Sequence, residues 1–174
     1  MERKTKGLFL KNIVNIIKKE KGEPGIQKLK EKVGQVDFFA FKDYPMELDV
    51  KFAKASCEIL YGTANDEAYI NLGKLAFQTY TKSVIGKTMF SLIGNNLYKG
   101  ISNLGKMLST VTSGFEITVQ ELDSHTIKIR TKNNPYHIKH YQGIWLAAFE
   151  YFGVVPQIDS RTISPENFEY LIKW

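Results

Sequence analysis

At Phe115 the spacing of apolar side chains changes. Upstream, Leu97, Ile101, Leu104 and Leu108 recur every three or four residues, as on one face of a helix. From Phe115 onward, Ile117 and Val119 alternate with Glu116, Thr118 and Gln120, as in a strand with one wet face. Each kind of apolar face must be buried against a neighbouring layer, so a chain that switches period in this way needs both helices and sheet in one core. Beyond "LDSH", a hairpin turn, Ile127 and Ile129 alternate with Lys128 and Arg130, and the strand returns on itself.

The other segments follow from the same spacing. A first helix is predicted over 6–21 from Leu10, Ile13, Val14 and Ile17, with Gly22 at its C-terminal cap. Pro24 reopens a helix carrying Ile26, Leu29 and Val33 as far as Gly34, which makes a helical hairpin. After the aromatic connector "VDFFAFKDYP", a stripe of Met46, Val50, Ala53, Cys57 and Leu60 stops before Gly62. "TANDEAYINLGKLAFQTY" opens with capping residues and places Ala68, Leu72, Leu75 and Thr79 on one face. Gly86 and Gly94 bracket at most a short helical turn, and Gly114 closes the Leu97 stripe. Asn134 is predicted to cap, and Pro135 to begin, a helix with Ile138, Tyr141, Trp145, Ala148 and Phe152 on its stripe. "VVPQIDSRTI" and "NFEYLIKW" are two last strands about the turn "SPEN". The expected fold is one α+β domain over 1–174: an N-terminal helical layer packed on a four-stranded antiparallel sheet, in the order helices, β, β, α, β, β.

Charge is uneven. Residues 1–32 hold ten Lys or Arg against four Glu, whereas the remaining chain balances fourteen against fourteen, so the whole net charge of +6 arises at the front. Contact with phosphates or an anionic membrane is one reading of that front. A solvated helix face is the simpler one, and no aromatics interleave with the lysines as they do in single-strand binders, so nucleic acid is not favoured. Cys57 is alone, which excludes a disulfide framework and suits a reducing, cytoplasmic setting. No apolar run approaches the ~20 residues of a membrane span. Lys11 and Asn15 interrupt the one stretch that resembles a signal peptide, so it reads as a helix of the mature fold.

The segment "NNPYHIKHYQG" holds His137 and His140, which share a helical face and are the candidate metal ligands. Two ligands do not make a zinc site, Cys57 belongs to another helix, and no carboxylate falls on the same turn. Both imidazoles are expected at the exposed start of their helix. No G-x-G-x-x-G after a strand, P-loop, H-E-x-x-H or G-x-S-x-G is present, and "NDE" at 65–67 is helix-start chemistry. Cys57, on an apolar stripe, is expected to be an inert thiol. The chain therefore reads as a non-enzyme.

"KGLFLKNIVNIIKKEKGEPGIQKLKEKVG", "LGKLAFQTYTKSVIGKTMFSLI" and "YQGIWLAAFEYFGV" together resemble an uncharacterised family expanded in myxobacteria. That family is similar to the superfamily of heme nitric oxide/oxygen-binding (H-NOX) domains, vinyl-4-reductase domains and TRAPP subunits. The resemblance implies helices first, then strand, strand, helix, strand, strand. Heme-binding members carry a proximal histidine on the helix before the first strand and a Tyr-x-Ser-x-Arg motif after the hairpin. Here "YKGISNLGKMLS" has no histidine and "RTKNNPYHIKH" lacks the motif, so no heme or other cofactor is expected by that route. The resemblance also implies an apolar cavity between helices and sheet, with Tyr141, Trp145 and Phe149 facing Leu104, Leu108 and Cys57 as its ligand-binding lining. The expected function is a sensory or adaptor domain in signalling that binds a small apolar ligand or a protein partner. The rivals are a heme or metal sensor through His137 and His140, and contact of the basic front with nucleic acid or membrane. Superfamily relatives often pair, which suggests a homodimer through the front helices.

Overall fold

The computed structural model describes residues 2–91 and 97–174. The chain starts with β1 (Lys4–Lys6) and α1 (Gly7–Val33), then β2 (Asp43–Pro45), α2 (Met46–Tyr61) and α3 (Asp66–Lys82). Next come α4 (Val84–Ser91), α5 (Leu97–Val111), β3 (Thr112–Ser113) and the hairpin β4 (Glu116–Asp123) and β5 (Thr126–Lys132). The chain ends with α6 (Ile138–Tyr151), β6 (Gln157–Ser164) and β7 (Asn167–Lys173). The expected α+β class and the late four-stranded sheet are both present: its order is β4-β5-β7-β6, with every neighbouring pair antiparallel.

Register explains how the sheet divides its two faces. Ile129 stands opposite Tyr170 and Ile127 opposite Ile172, all four buried beneath α6. One residue along, the pleat turns outward and Glu169 lies between Arg130 and Arg161, at 2.7 and 2.6 Å. These two guanidiniums, Arg130 first, hold the Glu169 carboxyl below its usual range.

Helices stack behind the sheet in layers. α5 packs on β4 and α6 on β6, α3 lies on α6, and the α1–α2 pair closes the far side. The closest crossing is between α3 and α6. A side chain at Gly73 would begin 2.1 Å from the His140 carbonyl oxygen, and one at Gly143 would begin 2.1 Å from that of Ile70. Only hydrogen fits at either point, so two unremarkable glycines set how near the helices come.

The helical hairpin at the front is present, and three local expectations are corrected. The 6–21 and 24–33 helices form the two arms of α1, broken at Gly22 (φ 64°, ψ −160°). The reversal there brings Ile17 Cγ2 within 3.1 Å of where a Gly25 side chain would begin, although eight residues along a straight helix span about 12 Å. Gly86 lies inside α4 instead of before it, with no room for a side chain against the Tyr80 carbonyl; Gly94 lies outside the described residues. The aromatic connector and the chain start are not plain loops. They contribute β2 and β1 to a small sheet of order β2-β1-β3 that the sequence did not announce, because strands of two or three residues carry no period.

The third correction moves the start of α6. Asn134 is fully buried and its Oδ1 accepts from Tyr136 N at 3.0 Å, an Asx turn, while its Nδ2 donates to Thr131 Oγ1. The cap is His137, whose Nδ1 accepts from Lys139 N at 3.3 Å. The helix therefore begins three residues later than Pro135, and the turn before it carries Tyr136 into the interior.

Candidate functional site

Behind α6, on the side away from the sheet, the helices leave a cavity of about 80 Å³. Its described lining comes from every helical layer: Phe9 and Asn12 of α1, Asp49 of α2, Phe77 and Tyr80 of α3, Leu104 and Leu108 of α5, His140, Tyr141 and Ile144 of α6. Thr5, from the middle strand of the small sheet, and Tyr136 complete its polar end. At the rim, Asn12 Nδ2 donates to the Ala76 carbonyl at 3.0 Å and ties α1 to α3.

The polar end is a buried cluster. Tyr136 donates its hydroxyl to Asp49 Oδ2 at 2.6 Å, joining the chain before α6 to α2 across 87 residues. Burial raises the Asp49 carboxyl to about 6, and the bond from Tyr136 opposes that rise without cancelling it. Thr5, 1% exposed, is close enough to influence both groups, yet its hydroxyl has no well-formed hydrogen bond. His140 is 6% exposed, its ring stacked on Tyr136 at 5.7 Å, and its Nδ1 has no partner. Burial first, and the neighbouring His137 second, lower His140 to about 4, so the ring is neutral at ordinary pH. Burial also drives the Tyr136 and Tyr141 phenols well above their usual range, so both stay protonated.

The expected exposure of both imidazoles holds for neither in full. His137 is half-buried against the Tyr69 ring (4.2 Å, 6° between planes), with Asp66 3.7 Å away. His140 faces the interior because it shares a helix face with Gly143 and Ile144, three and four residues on, where α6 meets α3. Among the described residues no three His, Cys, Asp or Glu side chains gather as a metal site.

Of the lining read from the sequence, Leu104, Leu108 and Tyr141 border the cavity. Trp145 and Phe149 belong to the filled core against the sheet, beside Tyr170 and Trp174. A four-residue step overshoots a helical turn by about 40°, so Phe149 stands about 80° around α6 from Tyr141 and meets another layer. Cys57 is packed between α2 and α3 with Ala53, Ala68 and Leu72. Its thiol is pushed up to about 12, first by burial and then by Glu58. Asp49 and Thr5 were missed, and His140 was read as an exposed candidate metal ligand and not as part of a cavity. The signal available for Asp49 was its place beside the Met46, Val50 and Ala53 stripe, where a carboxylate faces the interior without a lysine near it on the same face.

The fold is that of solved H-NOX structures. An H-NOX protein from S. oneidensis in the Fe(II)NO ligation state matches with TM-score 0.75 and 16% identity, covering 97% of this chain and 98% of its own. The Fe(II) unliganded H-NOX protein from K. algicida matches with TM-score 0.66 and 12% identity, covering 97% and 95%. No curated protein matches. The group that these structures' names imply, heme, does not fit the cavity behind α6. The cavity of about 80 Å³ is well below the roughly 300 Å³ at which pockets for larger ligands begin. α5 presents Leu104 and Leu108 to it, and its described lining holds no Lys or Arg to meet the carboxylates of a porphyrin. Over residues 1–174 the chain matches the family described as Protein of unknown function (DUF2378), and it belongs to that family.

Proposed function

We propose that this chain is a non-enzymatic sensory or adaptor domain whose ligand lies in the cavity behind α6. One observation carries the reading: two polar side chains that line the cavity, Thr5 and His140, are buried with unpartnered atoms. A buried hydroxyl or imidazole nitrogen without a partner is costly, and such groups in a native fold call for an occupant. The H-NOX-like fold supports a ligand inside the helical layer, though not heme. Cys57, buried and with its thiol pushed up to about 12, supplies no activated nucleophile.

Signalling follows in this reading from the position of the site. Residues from α1, α2, α3, α5 and α6 meet at the cavity, so occupancy can bias how the α1–α2 pair sits on the rest, and a protein partner would read that surface. A homodimer would have to use the lysine-rich outer side of α1, since Leu10, Ile13 and Ile17 are buried against Phe52 and Ala55. No helix among the described residues is long and apolar enough to cross a membrane; placement in the cytoplasm belongs to the same proposal.

The test is native mass spectrometry of the protein purified from its own host, beside an Ala76→Leu variant that narrows the cavity. A stoichiometric added mass on the natural chain and not on the variant is expected. No mass beyond that of the chain itself, for either protein, would sink the reading.

A further inference from the structure

We propose that the cavity takes a small primary amine as its ammonium ion, with the three N–H donors matched to Asp49, Thr5 Oγ1 and His140 Nδ1. This rests on the ligand-binding reading above and names the chemistry of its ligand.

The lining is one-sided in charge. Asp49 is 4% exposed, its hydrogen bond comes from the neutral Tyr136 hydroxyl, and the described lining contains no Lys or Arg. Buried carboxylates are ordinarily paired with a cation, and here no side chain provides one. The carboxyl raised to about 6 by burial is the same deficit seen from the proton's side. An anionic ligand would face that carboxylate, and a neutral one would leave it uncompensated.

The unpartnered atoms fit an ammonium in number and in kind. Thr5 Oγ1 can accept one N–H while its own proton turns to Asp49. His140, neutral, accepts at Nδ1 when its proton is on Nε2. With a carboxylate oxygen these make three acceptors, the number an R–NH₃⁺ group requires. Around them stand the rings of Phe9, Phe77, Tyr80, Tyr136 and Tyr141, whose faces attract a desolvated cation.

Size limits the rest of the ligand. A cavity of roughly 150 Å³ admits benzene; about half of that volume, 80 Å³ here, suits some three or four heavy atoms. The carbon tail would lie against Phe77, Leu104 and Leu108. A porphyrin does not fit within that volume, and a nucleotide or a fatty acid brings negative charge to Asp49.

The experiment compares n-propylammonium, 1-propanol and propionate, three probes of nearly equal shape and different charge, by protein-observed NMR titration of the full chain. Xenon, followed by its own NMR signal, reports whether the cavity admits any guest. The amine should bind at least tenfold more tightly than the alcohol, with propionate weakest, and should shift the His140 ring nitrogens. Binding should weaken about tenfold from pH 7 to pH 5 as Asp49 takes a proton, since Tyr136 and Tyr141 stay protonated, His140 stays neutral, and His137, with Asp66, faces Tyr69. Asp49→Asn should erase the preference for the amine and leave xenon entry intact. Xenon entering while the amine binds no better than the alcohol overturns the ammonium assignment alone, as does amine binding unchanged in Asp49→Asn. Entry of neither xenon nor any probe overturns the ligand-binding reading with it. The three-probe series on the natural chain decides the matter even where the variant does not fold.

Discussion

The two sides of α6 are closed by different means. Toward the sheet, Trp145, Ala148 and Phe149 meet Ile127, Ile129, Tyr170 and Ile172, all buried, and bulk fills the space. Away from it, Gly143 lets α3 approach to backbone contact, and beside that crossing His140, Tyr141 and Ile144 border a void with Asp49 and Thr5 at one end. Close-packed apolar faces leave no voids because every gap forfeits contact energy. The helical side keeps one, beside the Tyr136–Asp49 hydrogen bond and the unpartnered atoms of Thr5 and His140. Large apolar side chains close the sheet side, and buried polar groups border the other.

The contrast can be broken by mutation. Trp145→Ala removes the largest fully buried side chain and should cost about 4 kcal/mol, measured by urea denaturation. Gly143→Ala places a methyl against the Ile70 carbonyl and should cost about 3 kcal/mol. It should also alter the cavity, seen as loss of the His140 signal pattern. A Gly143→Ala protein as stable as the natural one would show that the crossing is not the rigid seam described.

A pH series sharpens the comparison. Asp49 is raised from 3.8 to about 6, so its contribution is present below pH 4 and is lost as pH rises to 6. His140 is lowered from 6.5 to about 4, so its contribution is present above pH 6.5 and is lost as pH falls to 4. The two slopes oppose each other over the same window. The natural chain should therefore be nearly flat there. Asp49→Asn should gain stability with rising pH, and His140→Gln should lose it, each by up to about 3 kcal/mol between pH 4 and 6.5. Parallel slopes for the two variants in urea denaturation would contradict the buried cluster. The smallest effect expected is for Leu108→Ala, which only widens an existing void: about 2 kcal/mol, the low end for such a change. A loss matching that of Trp145→Ala would mean that the helical side is packed as tightly as the sheet side.

Helix stripes and strand alternation located α2, α3, α5 and all four strands of the large sheet, because each buries one face over several turns or pleats. Periodicity also tells that a residue points inward, but not toward which neighbour. Tyr141, Trp145 and Phe149 share a stripe in sequence and part company in space, one bordering the cavity and two meeting the sheet. Cys57 was rightly placed inward on α2, and only the stacking of α2 on α3 shows that it lies in a separate cluster.

The sequence by itself determined the layers: a period of 3.6 or 2 is local, and an apolar face must be covered wherever the chain goes. Tertiary structure alone decided the site. Thr5, Asp49, and the pair Tyr136 and His140 come from three separate segments of the chain, and a polar residue carries no mark of burial until its neighbours exclude water from it. Their shared environment, a desolvated carboxylate beside two unpartnered acceptors, exists only once α1, α2 and α6 have closed around them.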